Sequence, residues 1–215
     1  MKHFKYLTLA LILFSLTACV GEKELKKDAP KDSISYAYLG TLTKDQEIVK
    51  NELISYLNNL KIFNTKAIIS KTYPNLFNVI DATHFEQYIS IMSNSKDIMV
   101  DNYDTKITKI GPVVTFSNGT KFAQVQYHSD TKLVFLNPNL YSTETSINFL
   151  YDVLIHKYGK KNVEINVKER SLRVQKEEKL LLIKETDGWK FIGDNKEYRQ
   201  IYPSILPLEI LTQLK

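Results

Sequence analysis

The chain has 215 residues, 43% hydrophobic and 25% charged, which suits one folded domain of ordinary size and excludes a disordered chain or a multi-pass membrane protein. Its single cysteine excludes both an intramolecular disulfide framework and a thiolate metal cage. The formal charge of +5 is small and is not interleaved with aromatic residues, so nucleic acid is not expected as a partner.

Lys2 and Lys5 precede an uncharged stretch, residues 6–18, that is shorter than the ~20 apolar residues needed to cross a bilayer. A positive start followed by such a run reads as a secretory signal peptide over residues 1–18. At its end, Leu16-Thr17-Ala18-Cys19 resembles the bacterial lipobox, in which a small residue precedes the cysteine that becomes acylated. The resemblance implies that Cys19 carries a thioether-linked diacylglycerol, becomes the N-terminus and gains a further acyl chain. Membrane lipid is then a partner through Cys19. At about 0.8 kcal/mol per buried CH₂, two or three acyl chains make a durable anchor. Val20 stands where aspartate would resemble an inner-membrane retention signal. The implied location is the bacterial cell envelope: the outer membrane if the organism has one, otherwise the outer face of the plasma membrane. Residues 19–40 hold Pro30 and a balanced mixture of Lys, Glu and Asp, and read as a solvated tether. The folded domain is expected over 41–215.

Thr43-Lys44-Asp45-Gln46 has the form of a capping box, and Val49, Leu53, Tyr56, Leu57 and Leu60 follow at helical spacing. Asn64 or Thr65 can cap a second short helix carrying Ala67, Ile68 and Ile69, which Pro74 stops. Thr83-His84-Phe85-Glu86 suggests another capping box, opening a helix with Phe85, Tyr88, Ile89 and Met92 inward. The period then changes to two. Residues 105–110 and 113–116 read as strand, Asn118-Gly119 as a tight hairpin, and 122–128 and 133–136 as two strands separated by a turn at Ser129-Asp130. A helix is expected over 144–158, with Ile147, Leu150, Tyr151, Leu154 and Tyr158 on one stripe and Gly159 ending it. Val163, Ile165 and Val167 alternate with polar residues, Leu172 and Val174 repeat the pattern, and 180–183 is continuously apolar. Asp187-Gly188 marks a hairpin into a strand that begins with Trp189 and Phe191, expected to share one face packed with Leu181 or Ile183. Pro203 and Pro207 frame a closing helix holding Leu208, Leu211 and Leu214.

Helices, hairpins, one helix and hairpins again make an α+β fold, with N-terminal helices packed on a curled antiparallel sheet. A division into two domains near residue 142 is the alternative. The strand Leu180-Leu181-Leu182-Ile183-Lys184, followed by Asp187-Gly188-Trp189-Lys190-Phe191-Ile192, resembles the late hairpin of the nuclear transport factor 2-like (cystatin-like) α+β roll. The chain is also similar to bacterial lipoproteins that end in such a hairpin and a short Pro-led helix. That superfamily includes isomerases, dehydratases and cyclases as well as members without chemistry, so the resemblance leaves activity open.

Candidate residues for chemistry are few. His84 reads as a residue of a helix start, and His156 as a solvated partner of Asp152 one helical turn earlier. Gln124, Gln126 and His128 alternate with Ala123, Val125 and Tyr127, and would bind a polar ligand if their row faced the cavity of a roll. The outward orientation is the expected one. Asp101 and Asp104 lack the glycine and distant glutamate of a calcium loop and read as turn residues. No nucleophile, metal set or cofactor fingerprint stands out, and no catalytic residue or cofactor is assigned. The expected function is a membrane-anchored module that binds a small molecule or an envelope protein without catalysis. The alternative is a small-molecule isomerase or hydratase of the same superfamily.

Overall fold

The computed structural model describes residues 34–139 and 141–214; Cys19 and the segment read as a signal peptide lie outside them. Seven strands form one sheet in the order β1-β2-β4-β6-β5, with β3 beside β4 and β7 beside β6. These are β1 (Ile34–Tyr36), β2 (Ile98–Ile110), β3 (Val114–Thr115), β4 (Lys121–Phe135), β5 (Val163–Asn166), β6 (Ser171–Glu185) and β7 (Gly188–Gly193). The helices are α1 (Lys44–Lys61), α2 (Thr65–Lys71), α3 (Ala82–Asn94), α4 (Glu144–Tyr158) and three short turns, α5 (Lys196–Arg199), α6 (Tyr202–Ile205) and α7 (Leu208–Leu211). The fold is α+β, and its sheet is curled into a half-barrel. Strands β4 and β6 pair across residue 142, so both halves of the chain build the same sheet.

One face of the sheet lies inside the curl. On it, Ile107, Ile110, Ala123, Val125, Leu180, Leu182, Trp189 and Phe191 meet Val49, Leu53, Tyr56, Leu57, Ile68 and Ile89 from α1, α2 and α3. Further along the same face Ile98, Val100, Phe135 and Leu172 lie against Leu150, Tyr151 and Leu154 of α4. The outer face is covered at one end only, where Phe122, Leu181, Ile183 and Ile192 pack under Tyr202, Ile205 and Ile210.

Local signals explain the helices. Thr43 and Gln46 form the reciprocal capping box of α1, and the Gln46 side chain also donates to the Gly111 carbonyl at 3.1 Å, tying the helix start to the end of β2. Asn64 caps α2 and Thr143 caps α4. For α3 the cap is Asp81, which accepts from the His84 N–H at 2.8 Å; the Thr83 box is displaced by the stronger acceptor two residues earlier. The closing helix is two separate turns interrupted at Leu206-Pro207, with Ile210 wholly buried and Leu208 exposed. Ile34–Tyr36, inside the segment read as tether, belongs to the folded body, because it pairs in parallel with Thr105, Lys106 and Ile107.

Strands β2 and β4 are longer than their patterns suggest. Strand β2 starts at Ile98 and carries Asp101 and Asp104 in the strand, not in a loop. Register shifts between Asn102 and Asp104 and between Ile107 and Lys109 each insert a residue. Each insertion reverses the side-chain parity, so Val100, Thr105, Ile107 and Ile110 share the inner face despite uneven spacing. Strand β4 runs straight through Ser129-Asp130, where a turn was expected. The buried Asp130 carboxylate accepts from the Arg173 Nε at 2.8 Å and the Gln175 Nε2 at 3.1 Å, and these bonds hold a turn-prone residue in an extended strand. The β6–β7 register also differs from expectation by one residue. Phe191 pairs with Leu182, so Trp189 and Phe191 pack with Leu180 and Leu182, while Leu181 and Ile183 face the other way.

Candidate functional site

Along the inner face of β4 the apolar row Ala123, Val125 and Tyr127 gives way to Ser129 and Thr131 before Leu133 and Phe135 restore it. Pairing places Thr105 of β2 opposite Ser129, and Lys176 and Glu178 of β6 opposite Ser129 and Tyr127. A polar belt therefore crosses the hollow of the sheet, between the core under α1–α3 and the core under α4. Thr105 and Ser129 are buried, and Lys176 and Glu178 form an ion pair with about a fifth of each side chain exposed (22% and 23%).

Two tyrosines reach this belt, Tyr127 of β4 opposite Glu178 and Tyr158 of α4 beside Lys176, and Tyr56 of α1, Tyr88 of α3 and Tyr198 of α5 belong to neighbouring elements. Tyr56 stacks on Phe191 with ring centres 4.1 Å apart. The Lys176 Nζ lies 5.8 Å from the centre of the Tyr158 ring, and the Lys157 Nζ lies 5.2 Å from it. Tyr198 covers Gly193, where an added Cβ would come within 2.8 Å of the ring carbons, so that close approach requires glycine. Burial raises the hydroxyl pKa of Tyr56, Tyr88, Tyr127 and Tyr198 above the ordinary tyrosine range. Electrostatic repulsion adds to it. Tyr198 acts on Tyr56 and Tyr88, Tyr158 on Tyr88, and Glu178 on Tyr127 and Tyr198. All four therefore remain neutral phenols at physiological pH, able to donate and to accept hydrogen bonds.

The row Gln124, Gln126 and His128 lies on the opposite face and does not line this basin. Gln124 donates to Asp194 at 3.3 Å, and the His128 Nδ1 stands 3.0 Å from a Glu177 oxygen. Asp194 is fully buried and also accepts from the Arg199 Nε at 2.7 Å, which fastens the C-terminal turns to the outer face. His84 and His156 are exposed, as are Asp101 and Asp104. Among the described residues no three His, Cys, Asp or Glu side chains are grouped to hold a metal ion, and no helix is long and apolar enough to span a membrane.

Sequence reasoning left the basin unassigned. Its tyrosines sit at spacings that core positions share, and Lys176 and Glu178 belong to a charged run, 175–179, that reads as a wet strand face. The one available signal was the strand alternation of that run, which puts Lys176 and Glu178 on the side of Leu180. No protein-family model, curated protein or solved structure matches this chain.

Proposed function

We propose that the protein is a lipid-anchored component of the bacterial envelope whose domain is a non-catalytic binding module, with the tyrosine basin as its ligand seat. The placing of Tyr127 and Tyr158 against the Lys176–Glu178 pair in the hollow of a half-barrel carries this reading. Neutral phenols with one cation and one anion suit a polar organic ligand that presents both acceptors and donors. The arrangement of helices over the inner face of a curled sheet supports assignment to the nuclear transport factor 2-like roll, whose hollow this basin would be. The lipobox at Cys19 supports the anchor, and 14 residues separate it from the first strand residue, Ile34.

An isomerase or hydratase is the second reading, favoured by one observation: Glu178 stands beside Tyr127 and Tyr198, a carboxylate next to hydroxyls that could steady an oxyanion. The ion pair with Lys176 weighs against a free base there.

The test has two parts. Cys19→Ala should abolish palmitate incorporation and detergent partitioning, and normal labelling of that variant would remove the anchor from the proposal. Thermal-shift screening of sugars, nucleosides and amino acids should yield ligands that stabilise the wild type and lose at least tenfold in affinity with Tyr127→Phe or Glu178→Gln. Ligands insensitive to both substitutions would place binding elsewhere. Turnover of a ligand that vanishes in Glu178→Gln would replace the binding module by the enzyme.

A further inference from the structure

The edge of β6 that faces away from β4 has strand partners at its two ends. Strand β5 pairs with it over 171–174 and β7 over 180–185. Among the described residues no strand pairs with that edge over 175–179. At about 3.3 Å per residue the opening is roughly 16 Å long. Strand alternation sets which backbone groups point into it. The Asp194 N–H donates to the Lys179 carbonyl at 2.9 Å, and the β4–β6 register is unbroken, so odd-numbered residues turn their N–H and C=O groups to the open edge. Gln175 and Glu177 each aim a donor and an acceptor into the notch, and Lys179 aims its N–H there.

Side chains flank this edge on both faces. Lys176 and Glu178 stand on the inner face in the tyrosine basin, with Tyr158 preceding β5 at one end of the notch and Tyr198 following β7 at the other. Glu177 and Lys179 stand on the outer face and are exposed. Each face thus presents one positive and one negative charge.

We infer that the notch receives an extended peptide segment of a partner protein, which adds to β6 as a short strand and sends one side chain into the tyrosine basin. Donors and acceptors at strand spacing are matched by another extended backbone. The opening holds only four or five residues, which fits a peptide segment better than the long β4 or β6 of a second copy. The charges of 176–179 deter indiscriminate edge pairing and favour a segment with one acidic and one basic residue. The inference deepens the binding-module reading by naming the class of partner, and it is tested away from the basin.

Detergent-solubilised full-length protein is immobilised and panned against a phage-displayed random heptapeptide library, and enriched peptides are synthesised and titrated. Glu177→Pro removes an outward N–H and no β4 ladder bond. It should weaken those peptides at least tenfold. Glu177→Ala also removes the carboxylate facing His128 but keeps the N–H, and should weaken them less than threefold. In the wild type, bound peptide should slow amide exchange at Gln175 and Glu177 at least tenfold, a readout that needs no variant to fold. Failure to enrich any heptapeptide over an unrelated protein, equal binding to wild type and Glu177→Pro, or unchanged exchange at both amides would each overturn the inference. So would a concentration-dependent dimer that Glu177→Pro abolishes, because a second copy would then occupy the notch. Small-molecule binding that depends on Tyr127 would survive any of these failures, so the notch and the basin stand or fall separately.

Discussion

Two polar regions lie back to back in the middle of the sheet, and they are built differently. On the outer face Asp130 is buried and accepts from Arg173 and Gln175, while the Arg173 Nη1 also reaches Glu164 at 3.6 Å. On the inner face Lys176 and Glu178 pair with each other, and Tyr127 of β4 and Tyr158 of α4 stand beside them. The outer cluster is closed on itself, which is how a sheet tolerates a buried charge. The inner one is partly exposed and sits in the hollow of the curled sheet beside Tyr127 and Tyr158. Similar composition on two faces of the same strands is thus built into a closed cluster on one side and a partly exposed pair on the other.

The largest test of this comparison concerns the wall beside the basin. Trp189 is 3% exposed and packs with Phe191, Leu180 and Leu182 under α1. Trp189→Ala should cost roughly 3–5 kcal/mol in chemical denaturation. An unchanged midpoint would mean the inner-face register is wrong and the basin with it.

Next comes the outer cluster. Arg173→Ala leaves the Asp130 carboxylate buried without its bidentate partner, and should cost about 1–3 kcal/mol at neutral pH, the partly exposed guanidinium keeping the loss below that of a fully buried pair. Acid dependence gives a sharper readout. Burial alone would raise the Asp130 pKa, but hydrogen bonds from Arg173 and Gln175, with the Arg173 charge, outweigh it and hold the carboxyl below its ordinary value. The unfolded chain therefore binds this proton more readily than the folded one. Its stabilisation is present above the unfolded pKa of about 3.9 and is lost as pH falls through the lower folded value. Wild type should lose stability more steeply than Arg173→Ala on acidification below about pH 4, and parallel curves would remove Asp130 from this role.

The smallest effect should come from the basin itself. Lys176→Met breaks a partly exposed ion pair and should change stability by no more than about 1 kcal/mol. Its effect should appear in ligand and peptide affinity instead. A loss larger than that of Arg173→Ala would invert the comparison and make the inner pair the structural one.

Several elements were legible in the amino-acid sequence because their signals are local. The Thr43–Gln46 box, the Val49-to-Leu60 stripe and the glycine after Tyr158 each specify a helix boundary or face within a few residues. The turns at Asn118-Gly119 and Asp187-Gly188 join strands as expected, since Gly119 and Gly188 take the positive φ those turns need. The outward orientation of Gln124, Gln126 and His128 was also readable, because the apolar row beside them had to face a core.

Sequence by itself therefore determined the α+β class, the principal helices and the hairpin turns, all of which depend on neighbours within one or two turns of chain. Tertiary structure alone decided the rest. Two bulges in β2 reset which residues share a face, and Arg173, 43 residues away, keeps Asp130 extended where its own propensity favours a turn. One residue of register decided which side of β6 faces Trp189, and the packing of α4 against the sheet brought Tyr158 to Lys176. Strand parity is set by pairing partners, and a pocket by the elements folded over it. Neither is encoded within the window of residues that a local pattern can read.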